Sequence, residues 1–217
     1  MQLYHGSDHI VKNPSLQAGK AYNDYGKGFY TTTDYELAGE WACRQKNDGY
    51  INEYTLDING LNVLNLQSDE FNVLNWITVL LNNRTFEITG DVAAEARKFL
   101  LKNYLPDMKA CDVIVGYRAD DSYFSYAESF INNGLSLRKL EQAMKLGKLG
   151  IQYALVSKKA FDSLQFVEAY RVENKMYYAK YKQRDEKART YYRENLRSEN
   201  TSSDDIFIAD IMWRLGK

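Results

Sequence analysis

The spacing of apolar and polar positions changes several times along the chain and predicts short strands and helices in mixed order. Gln2 to Tyr4 reads as a strand that delivers His5-Gly6-Ser7 to its end. A long loop-like stretch follows, through Asn13-Pro14-Ser15 and Gln17-Ala18-Gly19-Lys20, and loops of that length in compact domains often carry function. In Tyr25-Gly26-Lys27-Gly28-Phe29-Tyr30-Thr31-Thr32-Thr33 an aromatic and β-branched run is entered through two glycines. That pattern predicts a strand reached by a tight turn, open to close approach by a ligand or another backbone. Asp34 then caps a helix with Leu37 and Trp41 on one face. Tyr50 to Ile58 alternates as a strand up to Asn59-Gly60, a hairpin signal from which Leu61 to Leu66 is expected to pair back.

Helical spacing takes over between Asp69 and Arg84, behind a Ser68-Asp69 cap, and again from Asp91 to Tyr104. Asp112 to Tyr117 reverts to strand, Tyr123 to Asn132 and Leu137 to Leu146 to helix, and Ile151 to Ser157 and Phe166 to Val172 to strand. A long helix from Lys175 to Arg197 and a short one from Asp204 to Leu215 close the chain. Strands and helices intermingle without regular βαβ alternation, which predicts an α+β fold. The expected organisation is a main domain over residues 1–172 and a C-terminal helical extension over 173–217.

Composition narrows the function classes. A chain of 217 residues, 45% of them hydrophobic, can bury a sizeable core in one domain. Its formal net charge of −1 argues against a whole-surface attraction to nucleic acid or acidic membrane. Cys43 and Cys111 match no metal or redox spacing and suit buried thiols in a reducing cytoplasm. The start Met1-Gln2-Leu3-Tyr4-His5 shows no export leader, and the longest apolar run, Trp76 to Leu81, is too short to span a bilayer. His5 and His9 are the only histidines, and a strand-end placement does not set them on one helical face for a metal, so no metal site is expected.

Tyr4-His5-Gly6-Ser7, the Gly26-Lys27-Gly28-Phe29-Tyr30 strand, Trp41 in the following helix and the late strand Gln152-Tyr153-Ala154-Leu155-Val156 together resemble the nicotinamide pocket of ADP-ribosyltransferases. The resemblance is to the diphtheria-toxin-like and poly(ADP-ribose) polymerase type, summarised as His-Tyr-Glu, and consists of short motifs in the right order between Tyr4 and Val156. The central part also resembles a bacterial family of small relatives in which an Ala-Asp-Asp stretch and a Gln-Tyr strand recur, some of them similar to toxins paired with a small antitoxin. The fold so implied is two small antiparallel sheets around an NAD cleft with flanking helices.

The resemblance implies a role for each matching residue. His5 bonds a ribose hydroxyl on the adenosine side of NAD, Gly6 presents main-chain groups to the nicotinamide amide, and Ser7 supports them. Tyr30 stacks on one face of the nicotinamide ring beyond Gly28, and Trp41, eleven positions on, stands where polymerase-type relatives carry a second stacking tyrosine. Their carboxamide-holding serine falls at Ala38, so that contact is absent. Gln152 stands where the glutamate is expected. Glutamine still hydrogen-bonds a hydroxyl, but it brings neither negative charge nor a base. Asp120 and Asp121 are candidate compensating carboxylates, with helix capping as the alternative. Arg118 beside them either pairs with them or meets a diphosphate.

Between Arg171 and Glu199 nine Lys/Arg and five Asp/Glu interleave with tyrosines. Such a surface is a solvated helix face, a docking face for a partner such as an antitoxin, or a grip on single-stranded nucleic acid. The function implied is mono-ADP-ribosylation of a protein or nucleic-acid acceptor with NAD as substrate. The alternatives are an NAD or ADP-ribose binding module without turnover, and a partner-binding interaction protein.

Overall fold

The computed structural model describes residues 1–43, 47–119, 121–146, 150–191, 194 and 205–215, the side chains of 121–123, 144–146, 188 and 191 excepted. In chain order the elements are β1 (Gln2–Ser7), β2 (Phe29–Thr31), α1 (Tyr35–Ala42), β3 (Gly49–Leu56), β4 (Val63–Asn65), α2 (Val73–Asn83), α3 (Gly90–Asn103) and β5 (Val113–Tyr117). Then come α4 (Asp121–Ile131), α5 (Leu137–Leu146), β6 (Ile151–Leu155), α6 (Lys158–Asp162), β7 (Leu164–Val172), α7 (Asn174–Tyr191) and α8 (Ile208–Leu215). The fold class is α+β.

Two sheets of three and four strands carry the architecture, in the orders β1-β3-β7 and β2-β6-β5-β4. Their inner faces share a core of Leu3, Phe29, Tyr54, Leu56, Val115 and Leu155. A larger apolar cluster, including Trp76, Ile77, Leu80, Leu100, Phe130 and Leu140, packs α2 to α5 and α8 against the four-stranded sheet. Tyr4 and Thr32 exchange backbone hydrogen bonds (Tyr4 N to Thr32 O 2.7 Å, Thr32 N to Tyr4 O 2.9 Å). This bridge ties the two sheets together and sets the end of β1 beside β2.

Asp34 caps α1 as its position predicts, accepting from Glu36 N at 2.9 Å and Leu37 N at 3.1 Å. Two expectations fail for identifiable reasons. Leu61 to Leu66 does not pair back on β3, because β1 and β7 already occupy both edges of that strand. The chain crosses instead to the other sheet, where β4 runs parallel to β5 (Val63 opposite Val113), so that sheet is mixed rather than antiparallel. The second concerns α2, which begins at Val73 behind a reciprocal Asn72–Asn75 capping box, not behind Ser68-Asp69.

The helical extension docks on α1. Tyr177 is buried with Ala38, Ala42 and Ile51, and Arg184 Nε bonds Glu40 Oε2 at 2.8 Å. Lys180 pairs with Glu36 on the same side. The end of the long helix expected as far as Arg197, and the start expected at Asp204 for the last one, lie outside the described residues. Among the described residues no helix is long and apolar enough to cross a membrane.

Candidate functional site

Where the strand ends meet, a cavity of about 660 Å³ opens, within the range of small-molecule sites. The end of β1 contributes His5 and Gly6, β2 contributes Phe29 and Tyr30, and the loop between them adds Asp24. Trp41 comes from α1, Arg84 follows α2, Arg118 and Ala119 follow β5, and Gln152 sits on β6.

His5 is held by its Nδ1, which donates to Tyr30 O at 2.7 Å. That bond fixes the tautomer and leaves Nε2 as an acceptor. Desolvation lowers the imidazole pKa from its ordinary value to about 4, so the ring is neutral at neutral pH. The unfolded chain takes up a proton near pH 6.5, whereas folded His5 resists it down to about pH 4. Its contribution to stability is therefore complete above pH 6.5 and is lost as the pH falls across that window. His5→Gln should remove this part of the acid sensitivity. Paired thermal melts at pH 7 and pH 5 check it: the wild type should lose more stability than the variant.

Asn52, which sequence reading passes over, organises this corner. Fully buried on β3, it donates to His5 O (3.2 Å) and Ser7 Oγ (3.0 Å) and accepts from Val11 N (2.8 Å). An asparagine inside an alternating strand gives no local signal of that role. Ser7 Oγ donates to His9 O, so its hydroxyl ties β1 to the loop, and Ser7 does not line the cavity.

Tyr30 offers its ring and not its hydroxyl. The phenol donates to Gly26 O at 2.6 Å and accepts from Tyr25 N at 3.0 Å, closing the turn before β2. Burial pushes its pKa far up. The two glycines at the site are explained by packing more than by a ligand. A Cβ on Gly6 would sit 1.9 Å from Ala38 O of α1, and one on Gly28 would sit 2.8 Å from Leu155 O of β6.

Gln152 is buried, and its Nε2 donates to Asp24 Oδ2 at 2.8 Å and, at 3.5 Å, to Tyr117 O. Asp24 also accepts from Ala119 N (2.9 Å) on Oδ2 and from Arg84 Nη1 (2.9 Å) on Oδ1. Burial raises the Asp24 pKa, while these donors oppose the rise. Nothing local in the sequence singles out Asp24, because the partners that make it unusual are far away along the chain.

Arg118 is the most telling side chain. It is 6% exposed, and its Nη1 and Nη2 are buried without a hydrogen-bond partner among the described residues. Its guanidinium lies 5.4 Å from the centre of the Trp41 ring, whose Nε1 is likewise buried and, among the described residues, without a partner. An isolated cation in such a place costs several kcal/mol. The expected pairing of Arg118 with its aspartate neighbours falls outside the described residues. Asp120 lies outside the described residues, as does the side chain of Asp121, whose backbone begins α4.

His5, Gly6, Gly28, Tyr30, Trp41 and Gln152 thus line one cavity, and Asp24, Arg84, Arg118 and Asn52 complete its charge and framework. Among the described residues no group of three or more His, Cys, Asp or Glu could hold a metal. In comparison with known proteins, a family model described as a protein of unknown function (DUF3990) matches residues 1–166. No curated protein and no solved structure matches the chain.

Proposed function

The chain belongs to the DUF3990 family of proteins of unknown function, and we propose that it is an NAD-dependent mono-ADP-ribosyltransferase with the ADP-ribosyltransferase-like fold, working in the cleft where its two sheets meet. The observation that carries this reading is the convergence of His5, Tyr30, Trp41 and Gln152 on one cavity in which Arg118 holds a buried cation without a partner among the described residues. A dinucleotide supplies what that lining lacks. Its diphosphate offers anionic acceptors to Arg118, its flat nicotinamide suits the Tyr30 and Trp41 rings, and its ribose hydroxyls suit the acceptor atoms of His5 and Gln152.

In the reaction NAD supplies a cationic leaving group: the bond from ribose carbon to nicotinamide nitrogen breaks with its electron pair going to the nitrogen, and the carbon then bonds an acceptor nucleophile that releases a proton. The protein's part is to bind and orient. Neutral His5 accepts from a hydroxyl and does not repel the developing cation. The buried aromatic lining excludes water, which strengthens each polar contact made inside it. The acceptor is a protein or a nucleic acid, and the setting this reading favours is the cytoplasmic toxin of a toxin–antitoxin pair.

The amide at Gln152 favours a second reading, an NAD or ADP-ribose binding module without turnover. Purified protein incubated with NAD separates the two. We expect NAD binding by calorimetry and nicotinamide release by chromatography, with release strongly reduced in Tyr30→Ala and Gln152→Ala. Binding without release would leave the module, and neither binding nor release would overturn the proposal.

A further inference from the structure

Asp24 is the only acid lining the cavity among the described residues, and it touches the one polar residue whose chemistry departs most from the proposed reaction. We propose that Asp24 and Gln152 work as a unit in NAD cleavage: Asp24 provides the negative charge and fixes the Gln152 amide so that its Oε1 faces the substrate. This inference rests on the NAD-cleaving reading of the same cleft.

Three features of the geometry support it. Every group bonded to the Asp24 carboxylate is a donor: the Ala119 and Gln152 N–H groups on Oδ2 and the Arg84 guanidinium on Oδ1. Three converging donors, one of them the cationic Arg84, favour the ionised form and oppose the burial that raises the Asp24 pKa. The amide orientation of Gln152 is also decided, because Asp24 Oδ2 and Tyr117 O are both acceptors and must face the nitrogen, and the neighbouring Tyr25 Oη already spends its proton on Tyr117 O. Oε1 makes no bond among the described residues and is left to accept a substrate hydroxyl. Finally, Arg84 does not cancel the charge where it matters. It bonds Oδ1, while Oδ2 carries the contact to Gln152, so the Asp24–Arg84 pair is a dipole with its negative end toward the amide. A carboxylate accepting from an amide N–H draws electron density onto the carbonyl oxygen of that amide, which makes Oε1 a stronger acceptor.

A single glutamate in such a site supplies both the acceptor atom and the charge; here the two are divided between neighbouring residues. The division makes a counter-intuitive prediction for Gln152→Glu. A carboxylate at that position would face Asp24 Oδ2 at about the 2.8 Å now spanned by a hydrogen bond, and two carboxylates at that separation cannot both ionise. Gln152→Glu should therefore release nicotinamide more slowly than the wild type, not faster.

The decisive experiment measures nicotinamide release from NAD by the wild type, Asp24→Asn, Gln152→Glu and the double variant Asp24→Asn/Gln152→Glu, each with its melting curve. Wild-type turnover tests the parent reading first, and if the wild type releases no nicotinamide both proposals fall. Given turnover, we expect Asp24→Asn to lower kcat by about 100-fold or more, the scale of removing one electrostatic stabiliser, with KM for NAD changed far less. We expect the double variant, which sets one amide against one carboxylate although the Ala119 N–H loses its acceptor, to recover kcat at least about tenfold over Asp24→Asn alone, a scale set by the usual coupling between residues in contact. A purely structural role for Asp24 would move KM and the melting curve together and would not be rescued by the exchange. If Asp24→Asn does not fold, the double variant and Gln152→Glu decide the matter. Wild-type kcat in a folded Asp24→Asn, a Gln152→Glu faster than the wild type, or a folded double variant without recovery would overturn the inference and leave the NAD reading standing.

Discussion

Arg118→Met is expected to make the protein more stable and to remove most of its affinity for NAD. The guanidinium is almost fully buried, and its Nη atoms have no partner among the described residues. What offsets its desolvation is the Trp41 ring at 5.4 Å, and a cation–π contact contributes about 0.5–2 kcal/mol. Leaving an ion buried costs several kcal/mol, so the balance in the ligand-free protein is unfavourable. Methionine fills similar space without a charge. A chain of this size gains roughly 2–4 °C in melting temperature per kcal/mol, so the rise should be several degrees. A charge-assisted hydrogen bond to a ligand contributes about 1.5–3 kcal/mol, so affinity for NAD should fall roughly 10- to 100-fold by the affinity relation. Inorganic pyrophosphate should lose affinity in parallel, since the lost contact is with the anion. Thermal melts and calorimetry on the same preparations check both halves. A less stable variant with unchanged affinity would mean that the cation serves the fold and not a ligand.

How far the sequence exposes this site depends on the range of the interactions involved. Local chemistry is legible. The Asp34 cap, the apolar run of β5 and the helical spacing of α5 are all set by neighbours within a few positions, and each element forms where its pattern puts it. His5, Tyr30 and Gln152 are singled out for a different reason, by the resemblance of the short motifs that hold them, before their meeting on one cavity can be known. What the chain does not reveal depends on distant partners. The β4–β5 pairing follows from which strand edges remain open after the other sheet is built. Asp24 stands out only once Ala119, Arg84 and Gln152 are brought to it. Gly6 reads as room for a ligand, whereas its missing Cβ makes room for Ala38 of α1. Arg118 is the sharpest case, since nothing near it along the chain marks that the fold sets its guanidinium against the Trp41 ring.

The largest loss of stability is expected from Trp76→Ala, and its consequences should reach the cleft. Trp76 is 1% exposed at the centre of the main apolar cluster. Its indole Nε1 donates to Tyr117 O at 3.0 Å and approaches Tyr25 Oη at 3.2 Å. The same Tyr117 carbonyl accepts from Tyr25 Oη at 2.6 Å and meets Gln152 Nε2 at 3.5 Å. Trp76 therefore supports from below the strand end that carries Arg118 and the residue that faces Asp24. Truncation to alanine removes the packed ring and leaves a cavity, at a cost of about 3–5 kcal/mol, which corresponds to a fall of roughly 6–20 °C at 2–4 °C per kcal/mol. Trp76→Phe separates the two contributions. It keeps most of the apolar volume and removes the N–H, so it should cost nearer the 0.5–1.5 kcal/mol of a single hydrogen bond. Denaturant titrations of both variants measure the difference. Equal losses would mean that the indole N–H, and with it the network around the Tyr117 carbonyl, carries the stability; a near-neutral Trp76→Ala would mean that this part of the core does not hold the site together.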